Sequence, residues 1–257
     1  MDFNKAKIVF KNYLKDYDLN DGKIRLKIVH TFEVVKLSEY IATDLQLDKE
    51  NIELAKIIAL LHDIGRFEQA KRLDDFVDHR TTDHADYGVE ILFENNLIRK
   101  FIPDDKYDNI ILKAIKNHNK YEIEGGLSDE ELLHSKLIRD ADKTDHFRLS
   151  IVDNPKDMAN IDESVMVTQE ITDEIFNDFM SHKTIISSKR KNFVDMWVSY
   201  IAFVFDYNFT SGLKYLKEKN YINSLVDRFN WKNEDTKKKM EQIRNCANEY
   251  ILKRLEK

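Results

Sequence analysis

His62 and Asp63 stand side by side in "ALLHDIGRFEQ", directly after the apolar run Ile57, Ile58, Ala59, Leu60 and Leu61. Leaving such polar groups buried without partners costs about 1–3 kcal/mol each, and more for a charge. A bound cation would remove that cost. Seven of the eight histidines lie between residues 30 and 146. His30 sits amid Ile28, Val29 and Phe32. His84 opens a new helical pattern four residues before Gly88, and His118 closes "AIKNH". Asp140 and Asp142 fall in "LIRDADK", just after Leu137 and Ile138. Five segments thus each bring a metal-capable side chain to an apolar face, which is how helical bundles assemble metal sites. Imidazole and carboxylate together suit manganese, iron, cobalt, nickel or zinc. Neighbours such as His62 and Asp63 cannot share one stripe of a regular helix, so both can reach one ion only where the helix ends; Gly65 is consistent with such an end.

The elements that must position these residues read as helices throughout. Only 6 glycines and 2 prolines punctuate 257 residues, which disfavours turn-rich β architectures. Apolar residues recur at helical spacing over 23–45, 51–63, 83–96, 107–119 and 129–149. The expected fold is all-α: a helical core over 1–150 and a helical extension over 151–257 packed on the same domain. The extension carries further helical patterns near 165–183, 186–209, 212–228 and 234–256, with one histidine, His182. The charged stretch 71–83 is expected to be a loop near His62.

Bulk properties exclude several classes. The 42 % apolar residues fit a substantial core, and a formal net charge of −6 with no long basic block argues against a dedicated nucleic-acid binder while leaving room for a small phosphorylated substrate. The lone Cys246 rules out an internal disulfide and a cysteine-based zinc site. "MDFNKAKIVF" lacks the features of a signal peptide, and the most apolar segment, 196–205, is far shorter than the roughly 20 residues that span a bilayer. A cytoplasmic protein without a membrane partner is expected; the oligomeric state stays open.

The order His30, His62-Asp63, Asp140 resembles the signature of the HD-domain superfamily of metal-dependent phosphohydrolases, with "HDIGRFEQ" and "RDADKTD" similar to its two local motifs. The resemblance covers about residues 20–150. It implies an HD-type helical bundle in which His30, His62, Asp63 and Asp140 hold one divalent ion. "HADYGVEIL" and "AIKNHN" resemble further elements of two-metal subgroups, which would add His84 and His118 as ligands and make Asp63 a bridge, for one or two ions per chain. Asn119 follows His118 where the cyclic-dinucleotide phosphodiesterase subgroup has a second histidine, and the Gly-Tyr-Pro motif of that subgroup is missing. The adjacent Glu-Asp pair of the stringent-response hydrolases is missing as well.

The implied activity is hydrolysis of a phosphate ester of a small molecule, nucleotide-type, as monoester or diester, by a metal-activated water. Asp63 would be central to it. Arg66, three residues on, offers forked donors suited to phosphate, and Lys143, three past Asp140, would share its helix face. Arg80 and Lys120 are lesser candidates for the pocket rim. Glu68 reads as a general base or as a local cap, His79 as a solvated loop residue, and His134 and His146 as outside the site. The same ligands also resemble HD-fold di-iron oxygenases, and a non-catalytic nucleotide-sensing module is a third reading.

Overall fold

The computed structural model describes residues 1–73 and 82–256; His79 and Arg80 lie outside the described residues. Every regular element among them is helical. The chain divides into two compact units, Met1–Asp145 and His146–Lys257.

The first unit is built around long helices. Helix α1 (Phe3–Tyr13) packs on α3 (Lys49–Leu61), and α3 pairs along α2 (Gly22–Asp44). Asp21 caps α2 by accepting from Lys23 and Ile24 N–H, and Asp48 caps α3 by accepting from Asn51 N–H. The last turns of α3 are buried on every side, from Ile57 through Leu61. Such a helix end is a core element, as the apolar run predicts.

Helix α3 ends at Leu61, as expected, and His62 and Asp63 form a turn. A new helix, α4 (Ile64–Leu73), starts at once, so 71–73 belong to it rather than to a loop. Gly65 has a different task from the one expected. A Cβ there would lie 2.2 Å from the His84 carbonyl oxygen and 2.9 Å from Gly88 N. Only glycine permits α4 to pack this closely on α5 (His84–Val89). The chain continues from α5 through a π turn at 90–94 and α6 (Ile98–Phe101) to α7 (Asp108–Asn117). Helix α7 buries Ile110, Ile111, Ala114 and Ile115 and packs on α3 and α5. Helix α8 (Asp129–Val152) supplies the last residues of this unit, through Asp145.

The second unit has its own core, in which Trp197, Phe147 and Phe179 are among the largest buried side chains. Its helices are shorter than periodicity suggests. After α9 (Pro155–Ala159), the pattern at 165–183 resolves into α10 (Glu163–Met166) and α11 (Asp173–Met180). The pattern at 186–209 keeps only α12 (Phe193–Ile201) as α-helix, followed by a 3-10 turn. Between α13 (Thr210–Glu218) and α14 (Tyr221–Asp227), Asn220 adopts a φ of 56°, which ends one helix and starts the next. The final helix α15 (Glu234–Leu255) matches its expected span. Among the described residues no helix is long and apolar enough to cross a membrane.

Candidate metal centre

Among the described residues, three sets of donor atoms, each gathered within 4.8 Å, lie in the first unit: His30, His62 and Asp63; His62, His118 and Asp142; and Asp63, His84 and His118. Asp63 belongs to two of the three, and its two oxygens face different partners. Oδ2 lies 3.5 Å from His30 Nε2 and 3.7 Å from His62 Nε2. Oδ1 lies 3.4 Å from His84 Nε2 and 3.7 Å from His118 Nε2. Asp142 Oδ1 closes the first side, 3.1 Å from His30 Nε2 and 3.8 Å from His62 Nε2.

Local backbone chemistry decides which ring nitrogen is presented. His62 caps α3 and its Nδ1–H donates to the Ala59 carbonyl at 2.7 Å. His118 does the same one residue past α7, donating to the Ile115 carbonyl at 2.6 Å. A carbonyl can only accept, so in each neutral ring the lone pair sits on Nε2, aimed at the cluster. His30 donates through Nδ1 to the buried Asp145 carboxylate at 2.7 Å. An outer partner of this kind orients a metal-binding imidazole and raises its basicity.

The residues fit a divalent cation. His62 Nε2 is buried and has no hydrogen-bond partner among the described residues, although an unpaired lone pair inside a protein is costly. His84 Nε2 and His118 Nε2 are 2.9 Å apart. Two nitrogens held at about 2.1 Å from one ion and about 90° apart would be separated by about 3.0 Å.

The electrostatics suit a bound cation at Asp63, Asp142 and His62, whereas the raised His30 must give up its Nε2 proton to make way for an incoming ion. Burial works to raise the Asp63 carboxyl, yet Lys27 and the surrounding imidazoles hold it well below the usual carboxylate range. Asp142 is held low against burial in the same manner, by His30 first. Burial pushes His62 down to about 4, which keeps it a neutral ligand. His30 is pushed up to about 9: burial and Lys27 oppose its charge, but hydrogen bonds to Asp142 and Asp145 outweigh them.

Of the six expected ligands, the structure brings His30, His62, Asp63, His84 and His118 together and leaves Asp140 out of all three sets. Asp142, from the same motif, is in one of the sets, with His62 and His118. At about 100° per residue, Asp142 and Asp145 share one side of α8, while Asp140, Lys143 and Thr144 lie on the opposite side. Asp140 is fully buried and its carbonyl accepts from Thr144 Oγ1 at 2.7 Å. Lys143 is buried as well, on the Asp140 side and so turned off the stripe that meets His30. Arg66 does reach the centre, its Nε 3.8 Å from Asp63 Oδ1, while Nη1 donates to Gln69 at 2.9 Å.

Lys27 escapes sequence reasoning. Its Nζ is 2.7 Å from Asp63 Oδ2. The signal was present, since Lys27 lies one helical turn before His30 and therefore on the same face of α2. Glu68 is a local anchor: it accepts from Tyr17 OH at 2.6 Å and from Arg72 Nε at 2.8 Å. Lys120 pairs with Asp83 and Asp86 at 2.7 and 2.9 Å. His134 and His146 lie outside the three sets, the first bonded to Asn51 and the second packed against Tyr200 and Phe203.

Residues 28–146 match the family model described as HD domain. No curated protein and no solved structure matches the chain.

Proposed function

From the premise that this chain belongs to the HD-domain superfamily through residues 28–146, we propose that it is a metal-dependent phosphohydrolase acting on a phosphate ester of a small molecule, nucleotide-type, with two divalent ions at its centre. The observation that carries the reading is the division of Asp63: one oxygen toward His30 and His62, the other toward His84 and His118. His30, His62, Asp63 and Asp142 would hold one ion, and Asp63, His84 and His118 the other. When bound, such ions supply Lewis acidity toward a phosphoryl oxygen and lower the pKa of coordinated water.

The chain's own residues supply the rest. Carbonyls of Ala59 and Ile115 and the carboxylate of Asp145 keep three imidazoles aimed inward and in a fixed tautomer. Lys27 and Arg66 place two fixed positive charges against Asp63, from α2 and α4. A phosphoryl group approaching the Asp63 carboxylate meets an ammonium and a guanidinium there, and Gln69 steers the guanidinium. These two cations favour phosphate chemistry over oxygen chemistry at the same ligands, because a dioxygen substrate has no anionic oxygens for them to bind.

The test is hydrolysis of an aryl phosphate monoester and an aryl diester by the full chain with manganese, nickel or cobalt. Turnover should vanish on chelation and return with the metal. No turnover of either ester with any of these metals, alongside metal-dependent oxygen consumption, would overturn the reading.

A further inference from the structure

The two sides of Asp63 are supported differently, and the difference assigns a task to a residue outside the ligand set. Helix α5, which carries His84, has six residues and is too short to be stable by itself. His118 lies one residue past α7, in a turn that leads to the non-helical stretch 118–128. Yet their ring nitrogens are held 2.9 Å apart.

One carboxylate joins the two segments. Asp83 Oδ1 caps α5, accepting from Ala85 N–H at 2.9 Å and Asp86 N–H at 3.1 Å. The same oxygen accepts from Asn119 Nδ2 at 3.0 Å, and Oδ2 accepts from Lys120 Nζ at 2.7 Å. Asn119 and Lys120 are the two residues directly after His118. Lys120 also reaches Asp86 at 2.9 Å, doubling the link. From α8, the buried Arg139 donates to the carbonyls of Asn117, Lys120 and Tyr121, which fixes the far side of the same turn. Gln69 bonds the Thr82 carbonyl next to Asp83.

We propose that Asp83 is a positioning residue for the second ion: it ties the start of α5 to the turn after His118, sets the spacing of His84 and His118, and so governs binding at Asp63, His84 and His118 without governing binding at His30, His62 and Asp142. The proposal rests on the two-ion reading above. Outer-shell partners of metal ligands typically control affinity about 10–100-fold. Asp83 acts on two ligands at once, so the upper part of that range is expected.

The experiment is Mn²⁺ binding to the full chain by equilibrium dialysis and titration calorimetry, with the spin coupling of a manganese pair read by electron paramagnetic resonance. Wild type should bind two ions and show the coupled signal. Asp83→Ala should keep one ion within about twofold of its affinity, weaken the other at least about tenfold, and lose the coupled signal at sub-saturating metal. Asp83→Asn, which can still cap α5, should fall between the two. Should Asp83→Ala fail to fold, Lys120→Met decides, because it leaves the cap intact and removes the tie; a selective weakening of one ion is again expected. Two ions bound as in wild type by Asp83→Ala, or by Lys120→Met where that variant decides, overturns the proposal alone. A wild type that binds a single ion overturns the two-ion reading and the proposal with it.

Discussion

The donors on the two sides of Asp63 have the same chemistry and unlike foundations. On one side, His30 and Asp142 project from helices of 23 and 24 residues, and His62 closes a helix of 13. On the other, His84 opens a helix of six residues and His118 follows one of ten. Long helices packed along a core hold their side chains by virtue of the fold itself. Short helices and turns do not, so the second side carries a network of side-chain tethers: Asp83, Asn119, Lys120, Arg139 and the Gly65 contact. Rigidity in a cluster of donor atoms can come from helix length or from polar bracing, and this cluster has one on each side of Asp63.

Removing what the two sides share should erase the difference between them. Asp63→Ala is expected to lower metal-dependent aryl phosphate hydrolysis at least about a thousandfold, since both sets lose their common ligand and metals that activate water supply most of such rate enhancement. Initial rates at saturating manganese check it, and rates near wild type would sink the shared-ligand assignment. The first side alone is tested by a pair of isosteric changes on α8. Asp142→Asn should weaken one ion about 10–100-fold while Asp140→Asn leaves both affinities near wild type, because the helix turns Asp140 away. The opposite ranking would return Asp140 to the ligand set.

The second side should be more sensitive to backbone crowding. Gly65→Ala drives a methyl group into the His84 carbonyl and Gly88 N, which are backbone atoms unable to step aside. A loss of about 1–3 kcal/mol in unfolding free energy is expected, with the ion at His84 weakened more than the other. Urea unfolding and metal titration of the same variant report both quantities; equal weakening of the two ions would remove the contrast in foundations.

His134 is a control, a buried histidine that belongs to neither side. Burial pushes it down to about 4, below the 6.5 of a free imidazole. Its unfolded form therefore takes up a proton near pH 6.5 while the folded form resists until about pH 4. Stability from this group is complete above pH 6.5 and is lost as pH falls toward 4, by at most about 1.4 kcal/mol per pH unit. His134→Gln should flatten that part of the profile with metal binding unchanged, as followed by urea midpoints at pH 7 and 4.5. A profile identical to wild type would show that His134 is not protonation-linked to folding.

Much of the first unit was legible because its long helices obey one period. The spans of α2, α3, α7 and α8 follow from recurring apolar residues, and α15 does too. Helix α4 was hidden, since "IGRFEQAKRL" is short, polar and contains a glycine, and its glycine reads as a stop when its actual task is a close approach to α5. The breaks in the second unit were hidden as well. A 3.6-residue period persists through a change such as Asn220, an exposed residue whose left-handed backbone ends one helix and starts the next.

In the centre, residue types and spacing indicated that imidazoles and carboxylates would gather, and the resemblance of their order to the HD signature pointed to His30, His62, Asp63, His84 and His118. The choice between Asp140 and Asp142 belonged to the tertiary structure, because the middle of α8 is buried nearly all round and no polar face marks the inward side. So did Lys27 against Asp63, Asp145 behind His30, and Asp83 between His84 and His118. Helical periodicity carries information only within one element. Which side of Asp63 meets which histidine depends on helices far apart in the chain, and only their packing brings those atoms together.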